Sequence, residues 1–188
     1  MREKFVPKDV LSEIHPGTSL SRAREILGAP YRESEVWRET GSMGGTSLIY
    51  KFANLYVQIE SLDDKTIDLV TIVKPSMRDR DLFDVYPLDF KLGQVKFGDV
   101  MSYCGKLEVR TSSKDAEATL ECYFGNPGNY RYYTFGTYIG GGIWHETLKF
   151  SVDLEEKVTG DVAGTRPNFV SISVNEGDGH PIYHGELR

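Results

Sequence analysis

The sequence predicts an α+β protein made of two tandem units, each a helix followed by a four-stranded antiparallel sheet. Three pairs of segments carry that expectation. PGTSLSRAREILGAP at 16–30 and GQVKFGDVMSYCG at 93–105 both place apolar residues at helical spacing and close on glycine. LIYKFANLYVQI at 48–59 and RYYTFGTYIG at 131–140 share a strand–turn–strand shape, in which Tyr50 and Phe52 align with Tyr133 and Phe135. The apolar runs IDLVTIV at 67–73 and NFVSISV at 168–174 end the two copies.

Each element has a local reason. Val10, Leu11 and Ile14 are spaced for a short first helix. The next helix is expected over 19–27, with Thr18 or Ser19 as its cap, Leu20, Ala23, Ile26 and Leu27 on its apolar stripe, and Gly28 and Pro30 ending it. Its counterpart carries Phe97, Val100, Tyr103 and Cys104 and stops at Gly105. Extended segments follow on both sides: SEVWRET, TSLIYKFA and LYVQIESL in the first copy, then ATLECYF, YRYYTFG and IWHETLKFSVDL in the second. Asn54 and Gly136 stand at the expected turns. Alternation such as Val57 and Ile59 against Tyr56 and Gln58 gives each sheet one apolar face to lay under its helix. The expected organisation is a first repeat over 1–75, a charged connection over 76–90, and a second repeat with a C-terminal tail over 91–188.

Composition narrows the class. At 188 residues, with 39% hydrophobic and 12% aromatic residues, the chain buries a core and is not a disordered segment. A net charge of -6 argues against nucleic acid as a partner. The opening MREKFVPKDV has no signal-like apolar centre, and no run of 18 apolar residues occurs, so direct membrane insertion is not expected. The expected location is cytoplasmic. A periplasmic or secreted location is the alternative if a signal segment precedes this sequence.

Catalytic and metal motifs are weak. His180 and His184, with Glu186 beyond, have a metal-like spacing, but Pro181 opposes the helix that would align the imidazoles. His145 and Glu146 are adjacent on an expected strand and point to opposite faces. Asp79, Asp81 and Asp84 lie among arginines and read as a solvated surface, and neither cysteine has a local base. GSMGG and YIGGGIW lack the lysine and the strand-to-helix setting of a phosphate loop. No cofactor or metal is implied, and the expectation is a protein that is not an enzyme.

The aromatic series NYRYYTFGTYIGGGIW is the main functional signal. Tyr132 points opposite Tyr133 and belongs on the open face, near Tyr138 or Trp144, with Tyr130 at the strand entrance and Tyr56 as a counterpart in the first copy. Tyrosine and tryptophan offer large rigid contact area with a polar handle, so these five residues form the candidate partner-binding set. The alternative is that the same aromatics pack between the two units.

The string IHPGTSLSRAREILGAP, followed by a hairpin and IDLVTIV, resembles the repeat of the β-lactamase-inhibitor-protein-like fold, to which the small lipoprotein of the outer-membrane barrel-assembly machine is related. The resemblance lies in the Ile-x-x-Gly start, the short helix ending Leu-Gly-x-Pro, and the four strands. Two such units in tandem look like the inhibitor proteins themselves. The resemblance implies a non-enzymatic bacterial inhibitor or immunity-type protein that blocks a protein partner, of unknown identity, by occupying its surface. It also implies an assembly or scaffold subunit of a multi-protein, envelope complex as an alternative; a small-ligand or glycan binder is a third. Those inhibitors brace each unit with a disulfide, so the resemblance makes Cys104 with Cys122 a possible brace in the second copy alone, but the absence of a signal-like start favours two reduced thiols over it. Reduced, the two would behave as small buried apolar side chains.

Overall fold

The computed structural model describes residues 5–37, 43–78, 80–111, 116–126, 129–139, 149–152 and 158–182. In chain order the elements are α1 (Val10–Glu13), α2 (Leu20–Leu27), β1 (Arg32–Trp37), β2 (Met43–Lys51), β3 (Tyr56–Ser61), β4 (Leu69–Val73), β5 (Phe83–Asp84) and β6 (Lys91–Leu92). There follow α3 (Phe97–Val100), β7 (Glu108–Thr111), β8 (Ala116–Asn126), β9 (Asn129–Ile139), β10 (Phe150–Val152), β11 (Val158–Gly160) and β12 (Phe169–Ser173).

The expectation of two helix-plus-sheet units is overturned. One antiparallel sheet of eight strands, ordered β1-β2-β3-β4-β12-β9-β8-β7, runs through the molecule, and the described residues hold just three short helices. The fold is mostly β. The reason lies in the two runs expected to close separate sheets. Every residue of Leu69–Val73 and of Phe169–Ser173 is buried, so both strands are covered on both faces and belong in the middle of a sheet. They pair with each other, Thr71 opposite Ser171, and join the two four-stranded halves edge to edge.

The helix α2 forms as its punctuation dictates. Ser19 caps it, its hydroxyl accepting the Arg22 N–H at 3.2 Å, and the Gly28 N–H returns to the Arg24 carbonyl at 2.8 Å. Leu20, Ala23 and Leu27 are buried along its inner face. Backbone bonds from Leu20 N–H to the Lys65 carbonyl and from Ile67 N–H to the Thr18 carbonyl, 2.9 and 2.8 Å, seat its start on the loop between β3 and β4. Asp63 holds that loop, accepting the Lys65 and Thr66 N–H groups at 2.8 and 2.7 Å.

The α3 helix is a single turn, shorter than the 93–105 stripe led one to expect. Gly98 sits in its first turn against the Ala163 carbonyl, and Tyr103 is exposed beyond its end. Glycine is about 1 kcal/mol poorer than alanine inside a helix, and so short a segment has no further turns to offset it.

The three helices and the segment 83–100 cover one face of the sheet. Leu11, Ile14, Phe83, Leu92 and Phe97 pack there with Leu48, Val57, Ile59, Val70, Leu120, Phe135, Val170 and Ile172 in one cluster. Fully burying side chains of this size contributes about 1.5–3 kcal/mol each. The opposite, outer face carries a smaller cluster of Ile49, Val73, Tyr138, Phe169 and Ile182. It also carries a polar row that crosses five strands, Gln58–Thr71–Ser171–Thr134–Glu121. The C-terminal segment lies over that row: the Thr71 hydroxyl donates to the His180 carbonyl at 2.9 Å, and the Gly177 N–H donates to Glu121 at 2.9 Å.

Two further expectations are corrected. RYYTFGTYI is one unbroken strand, and Gly136 lies in its middle opposite Phe169 rather than at a turn. It therefore matches β2 in sequence without matching the β2–β3 hairpin in structure. The described part of the expected strand IWHETLKFSVDL is β10, which pairs with β11 outside the large sheet.

Candidate functional site

The open end of the outer face lies on β8 and β9. Ala118, Leu120, Cys122 and Phe124 turn to the core, so alternation turns Glu117, Thr119, Glu121 and Tyr123 outward. On β9, Tyr133 and Phe135 face the core while Tyr130, Tyr132 and Thr134 face outward. The register sets Tyr123 directly opposite Tyr132 and Gly125 opposite Tyr130. Tyr123 consequently meets both: its ring centre is 5.5 Å from that of Tyr130, edge to face, and 6.5 Å from that of Tyr132. Tyr123 is 64% exposed and Tyr130 37%, and Tyr132 is half-buried.

Beside the tyrosines is a groove of about 300 Å³ whose walls include Glu108, Glu117, Glu121 and Glu176 with Tyr123 and Tyr132. Partial burial raises the pKa of Glu121 above its ordinary value; the Glu176 and Glu108 carboxylates push the same way, against the stabilising hydrogen bond from Gly177. With Lys106 as well as the four glutamates on its walls, the groove carries net negative charge, and its Glu121 carboxylate ionises less readily than usual.

The structure gathers part of the expected aromatic set. Tyr130 and Tyr132 are together. Tyr138 shares their face but stands about 20 Å further along the strand. It is 1% exposed, and its backbone N–H and carbonyl both bond to the Asn168 amide, at 3.0 and 2.9 Å. Tyr138 is therefore part of the smaller core cluster, against which the half-buried Tyr56 also packs. Trp144, His145, Glu146, His184, Glu186 and Asp79 lie outside the described residues. Tyr123, the most exposed member of the cluster, was missed by sequence reasoning. The alternation Glu121-Cys122-Tyr123-Phe124 signals its outward direction, while its neighbours follow only from the register.

Cys104 and Cys122 are joined in a disulfide, which ties the turn after α3 to the inner side of β8. His180 spends its Nδ1 on the Pro181 carbonyl at 2.7 Å and lies 3.5 Å from Glu60 through Nε2. Among the described residues no three histidine, cysteine or acidic side chains cluster in a way that could hold a metal ion, and no helix is long and apolar enough to cross a membrane. Comparison with protein-family models, with curated proteins and with solved structures finds no match to this chain.

Proposed function

We propose that the protein is a non-catalytic binding module that acts by occupying a partner protein's surface, as an inhibitor or immunity protein does. The observation that carries this reading is the tyrosine cluster on the antiparallel pair β8–β9, in which exposed Tyr123 and Tyr130 stand with half-buried Tyr132. A preformed aromatic surface loses little conformational freedom on binding and excludes water from its neighbours. The adjoining glutamates give the partner a chemistry: a surface bearing Lys or Arg, which the carboxylates steer and the tyrosine rings receive through cation–π contact.

The test is affinity capture from the native host, followed by a binding measurement on the purified pair. Loss of about 2 kcal/mol, roughly thirtyfold in Kd, is expected when Tyr123 and Tyr132 are both replaced by Ala in a chain that remains folded. Added salt weakens the wild-type complex. A partner held equally by wild type and variant would sink the tyrosine surface as the site.

A further inference from the structure

Tyr132 and its two neighbours part company at the strand: Tyr132 turns to the acidic groove, whereas Arg131 and Tyr133 turn to the inner face. On that side a second cavity of about 290 Å³ opens at the rim of the core, lined in part by His15, Tyr86, Phe124, Arg131, Tyr133 and Ile172. Its volume is near the lower end for small-molecule sites, about 300 Å³.

The two cavities have opposite chemistry although they share the same pair of strands. Four glutamates line the outer one, whereas no acidic side chain lines the inner one among the described residues, in a chain whose net charge is -6. The inner walls are mostly carbon, from aromatic rings, Ile172 and two prolines. Its polar groups are few and directional. Arg131 Nη1 donates to the Tyr130 carbonyl at 3.0 Å, and no carboxylate among the described residues pairs with this guanidinium. The rest of its planar fork is therefore available for a bidentate acceptor. The Tyr133 hydroxyl donates to the Tyr86 carbonyl at 3.4 Å and, with its pKa pushed up to about 12 by burial, stays protonated. His15 lies within 3.0 Å of the Pro16 carbonyl through Nδ1; because a carbonyl only accepts, Nδ1 carries the proton.

We propose that this cavity binds a small carboxylic acid with an apolar body, its carboxylate held by Arg131 and its body laid against Tyr86, Phe124 and Ile172. Charge selects the head and the carbon walls select the tail. An ammonium of the same length meets a like charge at Arg131, and a dicarboxylate has to bury its second charge against carbon. The site is separate from the tyrosine surface and stands whether or not that surface binds a protein.

Octanoate, kept below its micelle-forming concentration, is the probe, with octylammonium as the charge-reversed control and calorimetric titration as the readout. Saturable one-to-one binding of octanoate is expected, with Kd rising about tenfold or more in Arg131→Gln, as loss of a charged hydrogen-bonding partner requires. A smaller rise is expected in Tyr86→Ala, which removes an exposed part of the wall. The Tyr123→Ala, Tyr132→Ala chain binds octanoate as wild type does. Absence of saturable octanoate binding overturns the proposal. So does an Arg131→Gln chain that binds within twofold of wild type, equal binding of octylammonium, or loss of octanoate from the tyrosine variant.

Discussion

The Phe169 ring lies over Gly136 on the neighbouring strand, so closely that a β-carbon added at Gly136 would stand within van der Waals overlap of the ring's edge. Glycine inside a long strand normally weakens it, and here its missing side chain makes room for a buried ring. Gly136→Ala is expected to cost about 1–3 kcal/mol, because the ring must leave its place in a packed cluster. Phe169→Leu in the same chain recovers part of the loss. Urea unfolding of the four chains measures both effects, and purely additive losses would show that the two positions do not compete for space.

Gly179 is under a similar constraint from another direction. A β-carbon there would collide with the Thr134 side chain, on which the C-terminal segment rests. Gly179→Ala is expected to lift that segment, costing about 1–3 kcal/mol and speeding amide exchange over 177–182 more than in the centre of the sheet. Unchanged exchange there would mean that the segment adjusts at no cost.

Glu121 ionises above its ordinary value chiefly because it is partly buried. Folding therefore favours its protonated form. That contribution is complete below the unfolded carboxylate pKa, about 4.3, and is lost as pH rises through the raised folded value. Glu121→Gln, which can still accept the Gly177 N–H, is expected to melt higher than wild type at neutral pH. The difference closes as pH falls below about 4. Thermal melts across that range check the sign, and a variant that melts lower at neutral pH would contradict it.

Removing the Cys104–Cys122 bridge opens a loop whose ends are separated by 18 residues. Loops of this size are stabilised by about 3 kcal/mol when cross-linked. The Cys104→Ser, Cys122→Ser chain is expected to lose most of that, and wild type under reducing conditions is expected to match it. Equal stability of all three would mean that α3 is held by Phe97 and Val100 alone.

How far the fold was legible depended on where each residue's reason lies. The α2 helix carried its reasons within itself, from Ser19 to Gly28, and its bounds followed. Gly136 read as a turn because its reason is Phe169, which is remote in sequence. The runs LVTIV and FVSIS are buried on both sides, as central strands are, yet Thr71, Ser171 and Ser173 give each a partly polar side, and ending each copy made them look like the last strands of separate sheets. Tyr132 could be directed outward by alternation alone. Its partner Tyr123 required the β8–β9 register, which alternation within one strand does not specify, and the cavity lined by Arg131 required the placement of 83–90 against the sheet.

The seam between Leu69–Val73 and Phe169–Ser173 governs the order in which the protein can be completed. During synthesis the first four strands emerge long before β12, and β4 waits as an apolar edge with its hydrogen-bonding groups unpaired. β9 waits in the same way. Both edges close only when a short segment near the end of the sheet's sequence slips between them. Such long-range closure is slow relative to local pairing. A nascent chain released before β12 would expose two sticky edges at once, making late interruption of translation more hazardous for this protein than loss of a peripheral strand.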